Sequence, residues 1–325
     1  MSATRNIRAL AGSGATAAIV LFLLMFMVYA IREPSALSLF GIGNLLNNTI
    51  VLALAATGLT LVVLSGELDL SGPGFIAIAN VVVATTSASA MGAGGSLLIV
   101  LAIGIVIGCI NGILVAYVGL QSLAVSLGTL IVCQGIALLI LPAPGGYVTD
   151  AIAYGLTGDV FGIPVAALLI LLTLAAWLLL KNTRMGIAIY AVGTNKTTAQ
   201  LSGFDTRKTK LFAFISAGIL YALAGFVFSA QIGSGDPRIS DSFLLFMFAA
   251  VAIGGTSLFG GRGGVVGTLA GAGILTVVQK MLFALGVADF YTNIFNGIIM
   301  IAAIFFGQAS AFLARRSVKG TVDVQ

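Results

Sequence analysis

The sequence predicts an all-α protein that crosses a membrane many times, and three observations carry that expectation. Hydrophobic residues make up 59% of the 325-residue chain and charged residues only 8%, against roughly 25% charged in soluble domains. The apolar residues gather into long runs without polar alternation, so the runs read as helices and not as strands of a barrel. The basic residues behind the net charge of +5 fall in connections and at the ends. Length alone would suggest two soluble domains, but one transmembrane domain over residues 1–325, with about ten spans, accounts for the pattern better.

Taken in order, Arg5 and Arg8 precede a first span over about Ala15–Ile31, closed by Arg32, Glu33 and Pro34. Val28-Tyr29-Ala30 loosely resembles a signal-peptide cleavage site, yet the many later spans favour an uncleaved helix. The second span, about Leu45–Leu64, ends in Ser65-Gly66-Glu67-Leu68-Asp69-Leu70-Ser71-Gly72-Pro73-Gly74. A third reaches about Met91, Gly92–Ser96 turns the chain, and spans four and five cover about Leu97–Tyr117 and Leu123–Leu141. The connection from Pro142 to Pro164 holds Asp150 and Asp159 and no basic residue. Span six, about Val165–Leu180, has Trp177 near its inner end.

The stretch Lys181–Lys210 interrupts the apolar runs. It holds six of the fifteen Lys and Arg residues and one acid, Asp205. Spans seven to ten follow at about Leu211–Ile232, Phe243–Leu258, Val265–Leu285 and Tyr291–Phe306, with a glycine-rich link over Gly254–Gly264 before the ninth. The tail carries Arg315, Arg316 and Lys319. Ten spans place both termini and 181–210 on one side, and those regions hold eleven of the fifteen basic residues. Such an excess marks the cytoplasmic face, leaving Asp150, Asp159 and Asp236 on the other.

Several chemistries are excluded. Cys109 and Cys133 lie inside spans, so neither a disulfide framework nor a metal site is indicated. The chain contains no histidine, which removes the commonest acid–base residue and metal ligand. It has no phosphate-binding Gly-x-x-x-x-Gly-Lys-Ser/Thr, and the glycines of 260–267 lack dinucleotide spacing. No catalytic constellation is present. Topology already explains the basic residues, so a nucleic-acid partner is discarded.

Gly104, Gly108 and Gly112 in span four, and Gly263, Gly267 and Gly271 in span nine, recur at every fourth position. That spacing lets another backbone approach closely. The two striped spans lie five apart, as an inverted repeat of spans 2–5 against 7–10 would place them. Glu67 and Asp69 read either as an exposed loop end or as a break between half-helices, with Asp69 or Ser71 as the cap of the next helix; the flanking Gly66, Gly72, Pro73 and Gly74 favour the break. With Asn80 and Asn111 these residues are candidates for a translocation path. Gln134, Gln231, Gln279 and Asn296 are polar groups of the same kind, and any one of them is also explained by an interhelical hydrogen bond. Arg262 reads as a cytoplasmic-side turn, and Lys280 as a side chain reaching for the membrane surface. Within 181–210, Asn195 can cap a short helix over Lys196–Ser202 and Gly203 can end it. Ala199 and Leu201 would then offer a partner a small apolar surface.

Taken together and in order, Ser65–Ser71, Asn111-Gly112, Thr183-Arg184-Met185-Gly186, Ala191-Val192-Gly193-Thr194-Asn195, Leu201-Ser202-Gly203-Phe204 and Gly254–Gly261 resemble the permease subunits of bacterial ABC importers of ribose-type sugars. That group lies within the wider branched-chain amino-acid and sugar permeases. The resemblance covers about residues 43–306. It implies a multi-pass inner-membrane permease dimer, with a second copy or a paralogue, embedded in lipid. Two cytoplasmic ATP-binding subunits would hold the ATP and magnesium, none in this chain, and a periplasmic sugar-binding protein would feed it. The family's coupling helix falls on Asn195, Lys196, Ala199, Gln200, Leu201, Ser202 and Gly203. The chain departs from the family at Lys196-Thr197-Thr198, where Glu and Ala are commoner, and at Gly72-Pro73, where Val-Gly is usual. A branched-chain amino acid or a nucleoside is an alternative cargo. A self-sufficient carrier fits less well, because the charges cluster at span ends and a cytoplasmic helix would lack a use.

Overall fold

The computed structural model describes residues 14–287 apart from 239, together with 294, 297 and 298. Its helices are α1 (Gly14–Arg32), α2 (Leu39–Leu64), α3 (Gly72–Thr86), α4 (Gly92–Ile113, prolonged by a wide turn over Leu114–Val118), α5 (Ser122–Ile140) and α6 (Asp150–Thr157). After a hairpin of β1 (Asp159–Val160) and β2 (Ile163–Pro164) come α7 (Val165–Lys181), α8 (Arg184–Thr194), α9 (Lys196–Leu201), α10 (Thr206–Ile232), α11 (Ser240–Ile253) and α12 (Val265–Ala284). Six of these, α1, α2, α4 with its extension, α5, α10 and α12, are long and apolar enough to cross a membrane. The pair α7 and α8 passes the same test together, bent by 78°, while α3 and α11 are shorter apolar helices. Of the ten expected spans, the tenth lies outside the described residues apart from 294, 297 and 298, and Asn296 and the basic tail lie outside them altogether.

Several boundaries differ from expectation: the third span ends at Thr86 and not near Met91, the seventh starts at Thr206 and not near Leu211, and the eighth ends at Ile253 and not near Leu258. The second span starts at Leu39, not near Leu45, because Ser38 accepts a hydrogen bond from the Gly41 N–H at 3.0 Å and opens the helix early. The fourth begins at Gly92, so the turn expected over Gly92–Ser96 is already helical.

Helix α2 is the centre of the bundle. Its residues are apolar on every side, the pattern of a helix enclosed by protein, and everything from Thr49 to Leu64 is buried. Its threonines do not disturb this: Thr57 and Thr60 donate to the carbonyls of Ala53 and Ala56 at 2.6 and 2.7 Å. Around it pack α10, α12, α11 and α7. Helix α10 crosses α2 at Gly58, where an added Cβ would sit 2.8 Å from the Tyr221 ring.

The glycine stripes serve different crossings. Along α4, a Cβ at Gly104 would lie 2.5 Å from the Gly218 carbonyl oxygen and one at Gly108 2.7 Å from that of Phe214, both on α10. Along α12, Gly267 and Gly271 back onto Gly254 and Ala250 at the end of α11, where a Cβ would collide with carbonyl oxygens. Gly263 is not part of that stripe: it lies before α12, with a φ of 109°, against Thr256. Helix α1 docks on α12 through Phe22 over Gly273.

Candidate functional site

The three motif stretches 65–71, 191–195 and 254–261 meet at the basic end of the bundle. Helix α2 stops where Gly66 takes a φ of 85°, a left-handed conformation that glycine adopts without strain. From Leu64 onward, the chain is held by a succession of neighbours. The Gly261 N–H donates to the Leu64 carbonyl at 3.1 Å. Gly66 lies between Gly193 of α8 and Gly260, close enough that a Cβ on Gly260 would be 2.8 Å from the Gly66 Cα. Glu67 is ion-paired with Lys210 of α10, both side chains largely shielded at 17% and 13% exposure. The Leu68 N–H donates to Ser122 Oγ at the start of α5, at 3.3 Å.

Asp69 is enclosed, with 1% of its surface exposed. Its Oδ1 accepts from the Ser71 N–H at 2.9 Å and from Ser71 Oγ at 2.5 Å, and its Oδ2 accepts from Tyr221 Oη at 3.3 Å. Asn111 Nδ2 donates to Ser71 Oγ at 3.3 Å, and Thr129 Oγ1 donates to Asn111 Oδ1 at 2.6 Å. A buried polar network of this kind is favourable only when its members are satisfied, and these bonds tie α3, α4, α5 and α10 together. Neither Asp69 nor Ser71 caps α3 with its side chain: the Ser71 carbonyl accepts from the Gly74 and Phe75 N–H groups, but its hydroxyl accepts none from the helix, and Asp69 binds Ser71 instead.

Of the candidate path residues, the structure thus brings Asp69, Ser71 and Asn111 together and gives Glu67 a separate partner. Asn80 stands apart. Its Nδ2 donates to Ser229 Oγ at 2.9 Å and the Ser234 carbonyl at 3.0 Å, while its Oδ1 accepts from the Asp236 N–H at 2.6 Å. Asn80, Ser71 and Asn111 are as enclosed as Asp69, so in this conformation they fasten helices and line no open passage. Lys280 donates to Asn44 Oδ1 at 2.5 Å, and Gln231 donates to the Asn47 carbonyl, both near the start of α2.

Helix α8 fixes the junction to the polar stretch that follows. Thr183 caps it by accepting from the Gly186 N–H at 3.2 Å, and Tyr190 Oη donates to the Gly263 carbonyl at 2.7 Å. Trp177 packs beside Tyr190, buried rather than turned to lipid. Asn195 closes α8 through its N–H and opens α9 by accepting from the Thr198 N–H at 2.9 Å. Gly203 has a φ of 81° and ends α9, donating to the Gln200 carbonyl at 3.0 Å. Gln200 Nε2 donates to Thr206 Oγ1 at 3.1 Å, and Ser202 turns its hydroxyl back to the Thr198 carbonyl at 2.9 Å. Lys196 is exposed. The expectation that Ala199 and Leu201 form one apolar surface is corrected here. Ala199 is 3% exposed because it faces the bundle, whereas Leu201 projects at 86%.

Helix α10 begins directly after. Asp205 accepts from the N–H groups of Arg207 and Lys208 at 3.0 and 3.1 Å. The Lys208 N–H, ahead of smaller influences, holds its carboxyl below the usual value. Arg207 sits over the Tyr117 ring at 5.9 Å and links α10 to the end of α4. Lys210 then reaches Glu67. Sequence reasoning missed Lys210, Tyr221 and Thr129, since nothing in their local sequence marks them out among like residues. Gly193 and Gly261 did stand in quoted motifs, but as family signatures and not as contacts. Among the described residues, no group of His, Cys, Asp or Glu could hold a metal ion.

A polytopic helical bundle with a broken helix at its centre and a short capped helix tied to that break belongs to the class of transport permeases. The sequence profile of the branched-chain amino acid transport system / permease component family matches residues 41–304, and the chain belongs to that family. The ribose import permease RbsC of Haemophilus influenzae is 33% identical over 291 residues, covering 88% of this chain and 90% of the relative. RbsC of Bacillus subtilis is 35% identical over 290 residues, 87% and 89% of the two chains. The autoinducer 2 import system permease LsrC of Yersinia pseudotuberculosis is 30% identical over 297 residues, 89% and 83%. No solved structure matches the chain.

Proposed function

We propose that the chain is the membrane-spanning subunit of a bacterial ATP-binding cassette importer for a monosaccharide of the pentose or hexose class. The sugar arrives on a periplasmic binding protein, and ATP with magnesium is hydrolysed on partner subunits docked at the basic end. The observation that carries this reading is the junction itself. A firm, capped helix, α9, projects from the bundle and is tied within a few residues, through Gly193 and Lys210, to the central break at Ser65–Ser71. A bundle without a nucleotide site needs such a lever. The relatives named as ribose permeases favour a sugar. A branched-chain amino acid or a nucleoside is the alternative cargo.

The same reading includes ten spans, both termini in the cytoplasm and a permease dimer. It also includes the inverted repeat, which the helix neighbours support. Exchanging α2 with α10, α3 with α11 and α4 with α12 turns the contact α10–α4 into α2–α12, α10–α3 into α2–α11, and α3–α4 into α11–α12, all of which occur. The two short helices, α3 and α11, each follow a non-helical stretch in corresponding positions, as expected of discontinuous helices in repeats. The glycine stripes do not share this correspondence, since one faces α10 and the other α11.

The test is reconstitution in vesicles with the ATP-binding and binding proteins encoded beside the chain, and a panel of labelled sugars, amino acids and nucleosides. ATP-dependent uptake of a pentose or hexose is expected. Uptake without the ATPase would point to a self-sufficient carrier, and uptake of only an amino acid or nucleoside would reassign the cargo.

A further inference from the structure

The long helices turn almost no strongly polar side chain outward. Beyond the first and last turns of α1, α2, α4 with its extension, α5, α10 and α12, the exposed amide or charged side chains among the described residues are Asn44 and Asn48 of α2. They stand one helical turn apart on the same face, and Lys280 of α12, half-buried, reaches across to them. The Lys280 ammonium and Asn48 Nδ2 both donate to Asn44 Oδ1, at 2.5 and 2.9 Å, and Asn48 Nδ2 also donates to the Asn44 carbonyl at 2.6 Å. These bonds fix the orientation of both amides. They leave Asn44 Nδ2 and Asn48 Oδ1 without partners among the described residues, and the ammonium with two unused N–H groups.

Depth and chemistry narrow what this face meets. Helix α2 has 26 residues and is therefore about 39 Å long, against about 30 Å of hydrocarbon. Asn48 lies about 13 Å along it from Leu39, well inside that layer when the helix is centred. An amide oxygen turned to lipid there would lose its water without a replacement, at about 1–3 kcal/mol. A lysine that escapes lipid extends its stem to the headgroups, whereas Lys280 is bonded to α2. The unused groups are donors on Asn44 and Lys280 and an acceptor on Asn48. Phosphate and carboxylate oxygens only accept, so a lipid phosphate would set Asn48 Oδ1 against another acceptor. A hydroxyl both donates and accepts, and a ligand with several neighbouring hydroxyls suits all three side chains at once.

We propose that Asn44, Asn48 and Lys280 form a water-filled subsite at the periplasmic mouth of the transport path, where they bind the hydroxyl groups of the cargo as it leaves the binding protein. The assignment rests on the importer reading above, which sets the start of α2 in the periplasm and makes the cargo a sugar. A few hydrogen bonds to an uncharged ligand suit a way station that must release what it takes. Two experiments test it in the complete transporter. With Cys109 and Cys133 replaced by alanine, Asn48→Cys should react with a charged, water-soluble methanethiosulfonate at least about tenfold faster than Leu23→Cys, since the reactive thiolate needs water. Leu23 lies equally far from the outer end of α1 and is exposed. In vesicles with the ATPase and the binding protein, Asn48→Leu and Lys280→Met should each cut sugar uptake about threefold to tenfold, the worth of one hydrogen bond or two. Asn48→Gln, which keeps the amide, should retain most of it. Melting temperature and capture of the binding protein should match wild type in all three. Equal reaction of Asn48→Cys and Leu23→Cys would mean that lipid or a second copy covers the face, and wild-type uptake in both Asn48→Leu and Lys280→Met would mean that it binds no cargo. Either result overturns the assignment. If the wild-type transporter takes up no sugar although Asn48→Cys reacts fast, it is the importer reading that fails.

Discussion

Lys210 and Glu67 lie 143 residues apart in sequence and form an ion pair between the first turns of α10 and the break after α2. Each is largely shielded from solvent, so removing one partner strands the other's charge in a poorly hydrated place. For a pair enclosed to this degree the cost is about 2–4 kcal/mol, whereas an exposed pair would contribute less than about 1 kcal/mol. Glu67→Gln and Lys210→Met should therefore each cut transport strongly and lower the thermal stability of the purified protein. The reversed pair, Glu67→Lys with Lys210→Glu, should recover a substantial part of both. Stability and uptake equal to wild type in both single variants would show that the pair carries nothing between α10 and the break.

Glycine substitutions should separate into two groups by what a Cβ meets. At Gly108 it would press on the α10 backbone and at Gly267 on the end of α11, so Gly108→Leu and Gly267→Leu should prevent normal assembly. The smaller Gly108→Ala should cost about 1–3 kcal/mol. At Gly128 in α5 there is open space, and Gly128→Ala should be neutral or stabilise by up to about 1 kcal/mol, since alanine restricts the unfolded chain. Thermal unfolding in detergent reads all four. Equal behaviour at Gly108 and Gly128 would contradict the packing described here.

The sequence made the spans legible because apolar runs long enough to cross a membrane have few alternative uses, and because Asn195 and Gly203 carry specific backbone chemistry. It did not disclose that Gly66, Gly193 and Gly260 meet, since close backbone approach leaves no mark except glycine itself, and the chain has 42 of them. Tyr221 shows the same limit. One tyrosine in an apolar run signals nothing until the fold brings Asp69 to its hydroxyl. Ala199 was misplaced for a different reason: a helix of six residues, Lys196–Leu201, is too short for periodicity to tell its inner face from its outer one.

The cap of α10 should leave a trace in acid. Folded Asp205 titrates below its unfolded value of 3.8 because backbone N–H groups stabilise the carboxylate. Its contribution is therefore complete above the unfolded value and disappears as pH falls through the lower, folded one. Asp205→Asn keeps a side-chain oxygen for capping but cannot titrate. Between about pH 5 and pH 3 the wild type should lose more melting temperature than Asp205→Asn, and parallel curves would remove the carboxylate from the account.

Helix α9 supplies the sharpest test of how energy reaches the bundle. If hydrolysis occurs on a partner, the contact must combine an exposed gripping side chain with a firm anchorage. Leu201 is the one, at 86% exposure; Ala199, Asn195 and Gly203 are the other. Leu201→Asp alters only the outward face and should leave expression, insertion and melting temperature as in wild type. It should nevertheless abolish ATP-dependent uptake and the stimulation of the partner's ATPase by loaded binding protein. Ala199→Asp buries a carboxylate against the bundle and should lower stability as well as transport, so the pair of variants distinguishes gripping from anchorage. Gly203→Val forces a branched residue into a φ of 81° and should resemble Ala199→Asp. Retained uptake and stimulation in correctly inserted Leu201→Asp would mean that the partner takes hold elsewhere on the basic face. Phe259, 85% exposed in the link before α12, would then be the next residue to replace.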